Sequence, residues 1–291
     1  MAGKMKRHLL FWAFVGPLVF AFFIVVVMPF LWGIYYSFTE WNGIVRSQVE
    51  WVGLRNYFDL FEDEQFIYSF WFTARFAVVS VILINGIGFA LALMVTQPLR
   101  SSNTLRTVFF MPNLIGGLIL GFVWQFIFIQ VFSALADVLQ LEFLRGWLST
   151  PETGFWGLVI LMTWQMAGYT MVIYIAALQS IPGELLEAAE IDGSTLWSKT
   201  LHIIIPLVAP AFTINMFLML SNAFKLYDQN LSLTNGGPFN STQMLAMNIY
   251  NTAFQFDKMG YAQAKAVIFF IVVATVSIIQ VRMNKRREVE Y

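Results

Sequence analysis

The 291-residue sequence contains no cysteine, two histidines and only 12% charged residues. Without cysteine there are no disulfides, no thiolate metal sites and no cysteine nucleophile, so nothing fixes a redox compartment. His8 and His202 lack histidine or acidic partners at metal-ligand spacing, which leaves no metal centre to propose. No excess of either charge is present either, since 17 Lys and Arg balance 17 Asp and Glu. That balance argues against a nucleic-acid binder relying on broad phosphate neutralisation. A glycine-rich phosphate loop ending in Lys-Ser or Lys-Thr is also missing, so the chain has no cradle for ATP of its own.

What the sequence has in abundance is apolar surface: 58% hydrophobic residues and a mean hydropathy of +0.68, which rules out a water-soluble globule. A bilayer core needs about 20 mainly apolar residues in a helix, because each backbone polar group must be satisfied within the segment. Six stretches qualify: Leu9 to Phe38, Phe66 to Val95, Leu105 to Phe132, Phe155 to Leu178, Leu207 to Leu226 and Ala262 to Val281. The first is too long for a signal-peptide core and lacks a small-residue cleavage site, so it is expected to be retained. Pro17 and Pro29 are expected to bend it, and Pro112 the third span, because each removes a helical donor.

Basic residues are retained on the cytoplasmic side. With the N-terminus inside, inner segments hold Lys4, Lys6, Arg7, Arg100, Arg106, Lys199, Arg282, Lys285, Arg286 and Arg287, ten of seventeen. The first outer loop instead carries Glu40, Glu50, Asp59, Glu62, Asp63 and Glu64 against Arg46 and Arg55. Both termini are therefore expected in the cytoplasm.

The inner segment Ser180 to Pro206 has its own punctuation. Pro182 suits a helix start, Glu184 and Glu187 favour the positive end of the dipole, and Gly193 suits the left-handed position that closes the helix. A short helix from about Gly183 to Asp192 is predicted, then a second capped by Ser194, with Pro206 breaking or kinking the chain as the fifth span begins. A surface-lying linker is the plain alternative. Interfacial helices usually carry Lys and Arg on their polar face, however, and this one is acidic, with the small Ala188 and Ala189 permitting close approach to a protein groove.

Within this segment Glu187, Ala188, Ala189, Gly193, Ile203 and Pro206 match, in register, the inner-loop pattern of permease subunits of bacterial ATP-binding-cassette importers; Ile205 stands where that pattern has Leu. The outer segment Leu-Thr-Asn-Gly-Gly-Pro at Leu233 to Pro238, with Ser241-Thr242, Ile249-Tyr250, Ala253-Phe254 and Gly260-Tyr261-Ala262, is similar to the group that includes the larger maltose-transporter permease. The Trp-rich first outer loop and Arg55 to Tyr57 also look like that group, so the likeness spans essentially the whole chain.

The resemblance implies an all-α integral membrane protein with six transmembrane helices, a type I importer permease bundle with a cytoplasmic coupling helix. Residues 1–65 would be an N-terminal span and outer loop, and residues 66–291 a five-helix core, with the coupling segment at about 180–206. It implies half of a translocation pore for a carbohydrate, an oligosaccharide by preference, in the bacterial cytoplasmic membrane. The partners would be a second permease, two ATPase domains or subunits and an extracytoplasmic sugar-binding protein. This chain would bind no cofactor, ATP and Mg sitting on the ATPase. Glu187, Ala188, Ala189 and Gly193 would seat in the ATPase, and the first span would wrap the partner chain.

Polar groups in a membrane are costly, so the cluster closing the fifth span, Ser221 to Asp228, is the candidate substrate pathway. Asn222, Phe224, Lys225 and Tyr227 are its candidate residues. Lys225 could pair with Asp228 three residues on, or meet an anionic sugar. Gln165, Tyr169, Tyr174, Trp124, Gln125 and Asn85 are weaker candidates, for which interhelical hydrogen bonding is the competing reading. A permease for an anionic sugar, a sugar phosphate or a non-sugar solute stays open. An integral-membrane enzyme or an ion-coupled transporter would need acids, histidines or internal repeats that the spans lack.

Overall fold

The computed structural model describes residues 2–44, 47–97 and 100–285. Arg46, Arg286 and Arg287, which enter the charge count above, lie outside the described residues, as do the side chains of Lys4, Lys6 and Lys285. Helices α1 (Ala2–Phe22) and α2 (Met28–Tyr36) lead to a small hairpin of β1 (Thr39–Glu40) and β2 (Glu50–Trp51), paired antiparallel. Then follow α3 (Arg55–Asp59), α4 (Glu64–Val95), α5 (Ser102–Phe110), α6 (Gly117–Phe126), α7 (Phe132–Leu139) and α8 (Pro151–Gln179). The inner segment forms α9 (Gly183–Ile191) and α10 (Leu196–Lys199), and α11 (Ile205–Leu207), α12 (Ala209–Phe224), α13 (Asp228–Leu233), α14 (Leu245–Phe254) and α15 (Met259–Lys285) complete the chain.

Five helices among the described residues are long and apolar enough to cross a membrane: Leu10–Tyr36, Glu64–Val95, Gly117–Leu139, Pro151–Gln179 and Met259–Asn284. A sixth arises if the bent pair Leu196–Leu207 and Ala209–Phe224 counts as one. The third lies further along the chain than the sequence indicates. Pro112 does not bend the helix but ends it: a 3-10 turn over Met111–Leu114 gives way to extended backbone at Ile115 and Gly116, and the long apolar helix starts only at Gly117.

Prolines act here through the donor they lack. Pro29 cannot serve the carbonyl four residues back, and a π turn over Phe23–Val27, with Met28 N–H bonding the Phe23 carbonyl, shifts the ladder so that the helix runs on. Pro17 sits inside α1 without interrupting it. The first span thus runs as one continuous helix from Leu10 to Tyr36 through both prolines. In the fifth span the turn of 70° falls at Val208 rather than at Pro206. Pro210 has no N–H for the carbonyl of Pro206, so the ladder is open between them.

By its internal contacts the chain divides into two units, Met1–Glu64 with Ile249–Phe270, and Gln65–Asn248 with Ile271–Tyr291. In the first, the aromatic ring of Phe30 packs on Phe270 with centroids 4.9 Å apart. The buried amide of Asn56 donates to the carbonyls of Ser37 and Thr39, 2.9 Å each, which ties the Arg-Asn-Tyr segment to the hairpin. Lys265 is 3% exposed and meets the Asp63 carboxylate at 2.8 Å and the Thr252 hydroxyl at 3.0 Å, while Tyr261 donates to the same carboxylate.

In the second unit small residues let helices touch backbone to backbone. A Cβ built on Gly168 of α8 would collide with the Phe109 carbonyl of α5, and one on Gly88 of α4 with Thr170 of α8. One apolar cluster joins the ends of α4 and α8 to the fifth span: Ala92, Val95, Met171, Tyr174, Ile175, Ile204, Val208 and Ala211. Arg75 of α4 stacks over the Phe155 ring at 4.4 Å.

Candidate functional site

The inner segment is built by local rules. Pro182 is the N-cap of α9. At the other end Gly193, at φ +74°, adopts the left-handed conformation that an L side chain resists. Its N–H bonds the Glu190 carbonyl and that of Ser194 bonds the Ala189 carbonyl, both at 3.0 Å, the paired closure of a Schellman end. Because Ser194 is used in that closure, Thr195 rather than Ser194 caps α10, its hydroxyl accepting from Ser198 N–H at 3.2 Å. Lys199 and Glu190 then clamp the two short helices together at 2.5 Å.

This hairpin is seated by Leu186, packed against the apolar cluster, and by buried Ala189. Glu187 and Ala188 are exposed. So are three large apolar side chains: Ile191 at 86%, Leu196 at 75% and Trp197 at 73%. Nothing lies within 4 Å of a Cβ built on Gly193, so glycine is required there by backbone conformation and not by space.

The second candidate lies where two helices are interrupted. The fifth span stops at Phe224, and Lys225 to Tyr227 leave helical geometry before α13 begins at Asp228. Lys225 and Asp228 thus sit on either side of a break, not three apart on one helix, and the ion pairs among the described residues do not join them. The third span is interrupted at Ile115 and Gly116. Both interruptions converge on the middle of α8. Gln165 donates to the Ile115 carbonyl at 3.1 Å, satisfying a group that the break frees, and its own oxygen accepts from Gln229 at 2.9 Å.

Alongside, α13 lies on the Gly117-x-x-x-Gly121 face of α6. A Cβ on Gly117 would sit 2.9 Å from the Gln229 amide, and one on Gly121 would collide with the Ser232 hydroxyl. Gln125 donates to the Leu233 carbonyl at 3.0 Å. The following turn is fixed by Asn230, whose amide donates to the Thr242 carbonyl at 2.8 Å and whose oxygen accepts from Met244 N–H at 3.0 Å. Six-residue α13 is therefore held along its whole length.

Around this joint Asn222, Lys225 and Asp228 are exposed, Tyr227 is half-buried, and Phe224 and Leu226 are buried. Of the weaker sequence candidates, Gln165 and Gln125 belong to the joint itself. Tyr174 and Asn85 bond each other at 2.5 Å inside the bundle, while Tyr169 and Trp124 are half-buried. Gln229 and Asn230 escaped the sequence reading because they lie just past the expected end of the span. The Gly116-Gly117 pair after Pro112 was the available signal for the break in the third span. Among the described residues no group of three or more metal-ligating side chains converges.

A family model described as binding-protein-dependent transport system inner membrane component matches residues 7–289. The chain belongs to this family. Among curated members, it is 52% identical over 285 residues to the probable starch degradation products transport system permease protein AmyD of Thermoanaerobacterium thermosulfurigenes, covering 98% of this chain and 97% of the relative. It is 32% identical over 269 residues, 90% of each chain, to the multiple sugar-binding transport system permease protein MsmF of Streptococcus mutans. A chain from the crystal structure of a bacterial transporter that imports the acidic polysaccharide alginate superposes with a TM-score of 0.83 at 21% identity over 98% of each chain. The fold is thus that of a type I importer permease, all-α and multi-pass, and the protein is an inner-membrane permease component rather than an enzyme.

Proposed function

We propose that the chain is one half of the pore of an ATP-driven importer of neutral oligosaccharides. The observation that carries this is the joint at Gln165: in transporters, helices interrupted within the membrane leave polar backbone and side chains where they line a cavity. Here that joint presents Asn222, Lys225, Tyr227 and Asp228, groups suited to sugar hydroxyls and, for Tyr227, a ring face. The names of the relatives, which speak of starch degradation products and of multiple sugars, support the substrate class. Exposed Lys225 favours a second reading, an anionic sugar. Competition of uptake by neutral glucose oligomers against uronic-acid oligomers separates the two.

The rest of the assembly follows the same reading. A second permease completes the pore, an extracytoplasmic binding protein delivers the sugar, and two ATPase domains or subunits supply the energy and hold ATP and Mg, this chain binding no cofactor. Both termini are cytoplasmic, and residues 1–65 form a span and outer loop flanking the core at 66–291. The α9–α10 hairpin is the coupling element: Glu187, Ala188 and the apolar Ile191, Leu196 and Trp197 enter a cleft of the ATPase, and Gly193 fixes the turn between them.

A cysteine at Glu187 is expected to crosslink to a cysteine in the cognate ATPase cleft. Failure at several neighbouring positions would argue against docking there.

A further inference from the structure

We propose that the first unit carries a binding site for a neutral sugar, in a cavity of about 670 Å³ walled by the first outer loop and the chain around the start of α15. That volume falls within the roughly 300–1,000 Å³ of small-molecule sites. The proposal rests on the importer reading above for its substrate class and for the outward side of the loop.

Three lining side chains set what the cavity offers. Trp41 spends its indole N–H on the Ile44 carbonyl at 3.0 Å and stacks on Tyr36 with centroids 4.3 Å apart, so it contributes a fixed ring and no free polar group. Asn42 accepts from Ile44 N–H at 3.1 Å, which orients its amide and leaves the two Nδ2 donors open among the described residues. Asn56 is the converse. It is 8% exposed, spends both amide donors on the Ser37 and Thr39 carbonyls, and keeps Oδ1 as an acceptor with no partner among the described residues. A donor, an acceptor and an aromatic ring thus line one cavity, each held in place by bonds made elsewhere.

The charged groups narrow the occupant. Asp63 is matched by Lys265 at 2.8 Å, and Asp59 is faced by Arg55 at 3.9 Å. Glu40, Glu62 and Asp257 remain against Lys258, an acidic balance that repels an anionic sugar. A cation has no use for the Asn42 donors or for Lys258. A hydroxyl both donates and accepts, so a sugar uses all of these groups, and its C–H face packs on the Trp41 ring.

The test is saturation-transfer NMR of a glucose trimer on the assembled importer, without binding protein or nucleotide. The double variant Asn222→Ala with Tyr227→Ala serves as background, so that the joint at Gln165 does not contribute. Signal from the glucose trimer should persist there, and a uronic-acid trimer should give none. Trp41→Leu should weaken the apparent affinity about fivefold, the scale of one aromatic contact, and Trp41→Phe should restore it. Asn42→Asp, which keeps the acceptor for Ile44 but loses the donors, should also weaken it, in a complex as stable as its parent. No signal in the background, or unchanged affinity in Trp41→Leu and Asn42→Asp, would overturn the proposal. So would displacement of the trimer by spermidine, which would mark the cavity as a cation site. A complex that takes up the trimer yet fails this test loses only the outer site. One that binds the trimer here yet takes up no glucose oligomer loses only the substrate reading.

Discussion

Gln165 spans the joint between two broken helices, donating to Ile115 and accepting from Gln229. Replacing it with leucine removes the partner of the half-buried Ile115 carbonyl and leaves the buried Gln229 amide without this acceptor, at a cost of about 1–3 kcal/mol for the amide. Gln165→Leu should therefore lower uptake while Gln165→Glu keeps an acceptor for Gln229, and sugar uptake by otherwise assembled complexes checks this. The ion pair of buried Lys265 with half-buried Asp63 makes a second residue-scale prediction. Removing one partner of a buried ion pair costs about 3–5 kcal/mol because the other charge is stranded. Asp63→Asn, which strands the buried Lys265 ammonium, should thus lower the thermal midpoint more than the double variant Asp63→Asn with Lys265→Met. The polarity of 222–228 was readable in the sequence because polar residues ending an apolar run stand out. The Asp63–Lys265 pair was not, since the two are some two hundred positions apart and only the folded chain brings them together.

At the scale of elements, the inner segment was the most legible part. Pro182 and Gly193 punctuate α9 within one residue of where they put it, because capping is local chemistry. Helix breaks were less legible, since a proline marks a missing donor and not the place where the chain turns. A π turn absorbs Pro29, and Val208 turns where Pro206 was expected to. The left-handed φ at Gly193 in open space predicts a graded series. Gly193→Asn, which tolerates that conformation, should retain sugar-stimulated ATPase activity, while Gly193→Val should lose it with membrane insertion intact. Gly168→Ala is a harsher change, since its Cβ meets the Phe109 backbone rather than a movable side chain. It should impair packing of α8 on α5, seen as rapid proteolysis of the membrane-inserted chain.

For the whole molecule, a chain that is 58% hydrophobic has no soluble alternative, and four of its six apolar stretches match long membrane helices with ends within a few residues, while the fifth covers only the second arm of the bent pair Leu196–Leu207 and Ala209–Phe224. The third was misplaced by about twelve residues at its start, because hydropathy does not register the interruption at Ile115 and Gly116. The same blindness hid the joint at Gln165, which depends on two interruptions meeting. Whether that joint is the sugar pathway can be read from uptake. Labelled glucose-oligomer uptake is followed in proteoliposomes containing this chain with its second permease and ATPase, driven by ATP and the binding protein. Asn222→Ala and Tyr227→Ala should each reduce uptake at least about tenfold, the effect of roughly 1.4 kcal/mol of lost interaction, in complexes that still assemble and still bind the ATPase. Uptake unchanged in both variants would show that sugar does not pass this joint and would move the pathway elsewhere in the bundle.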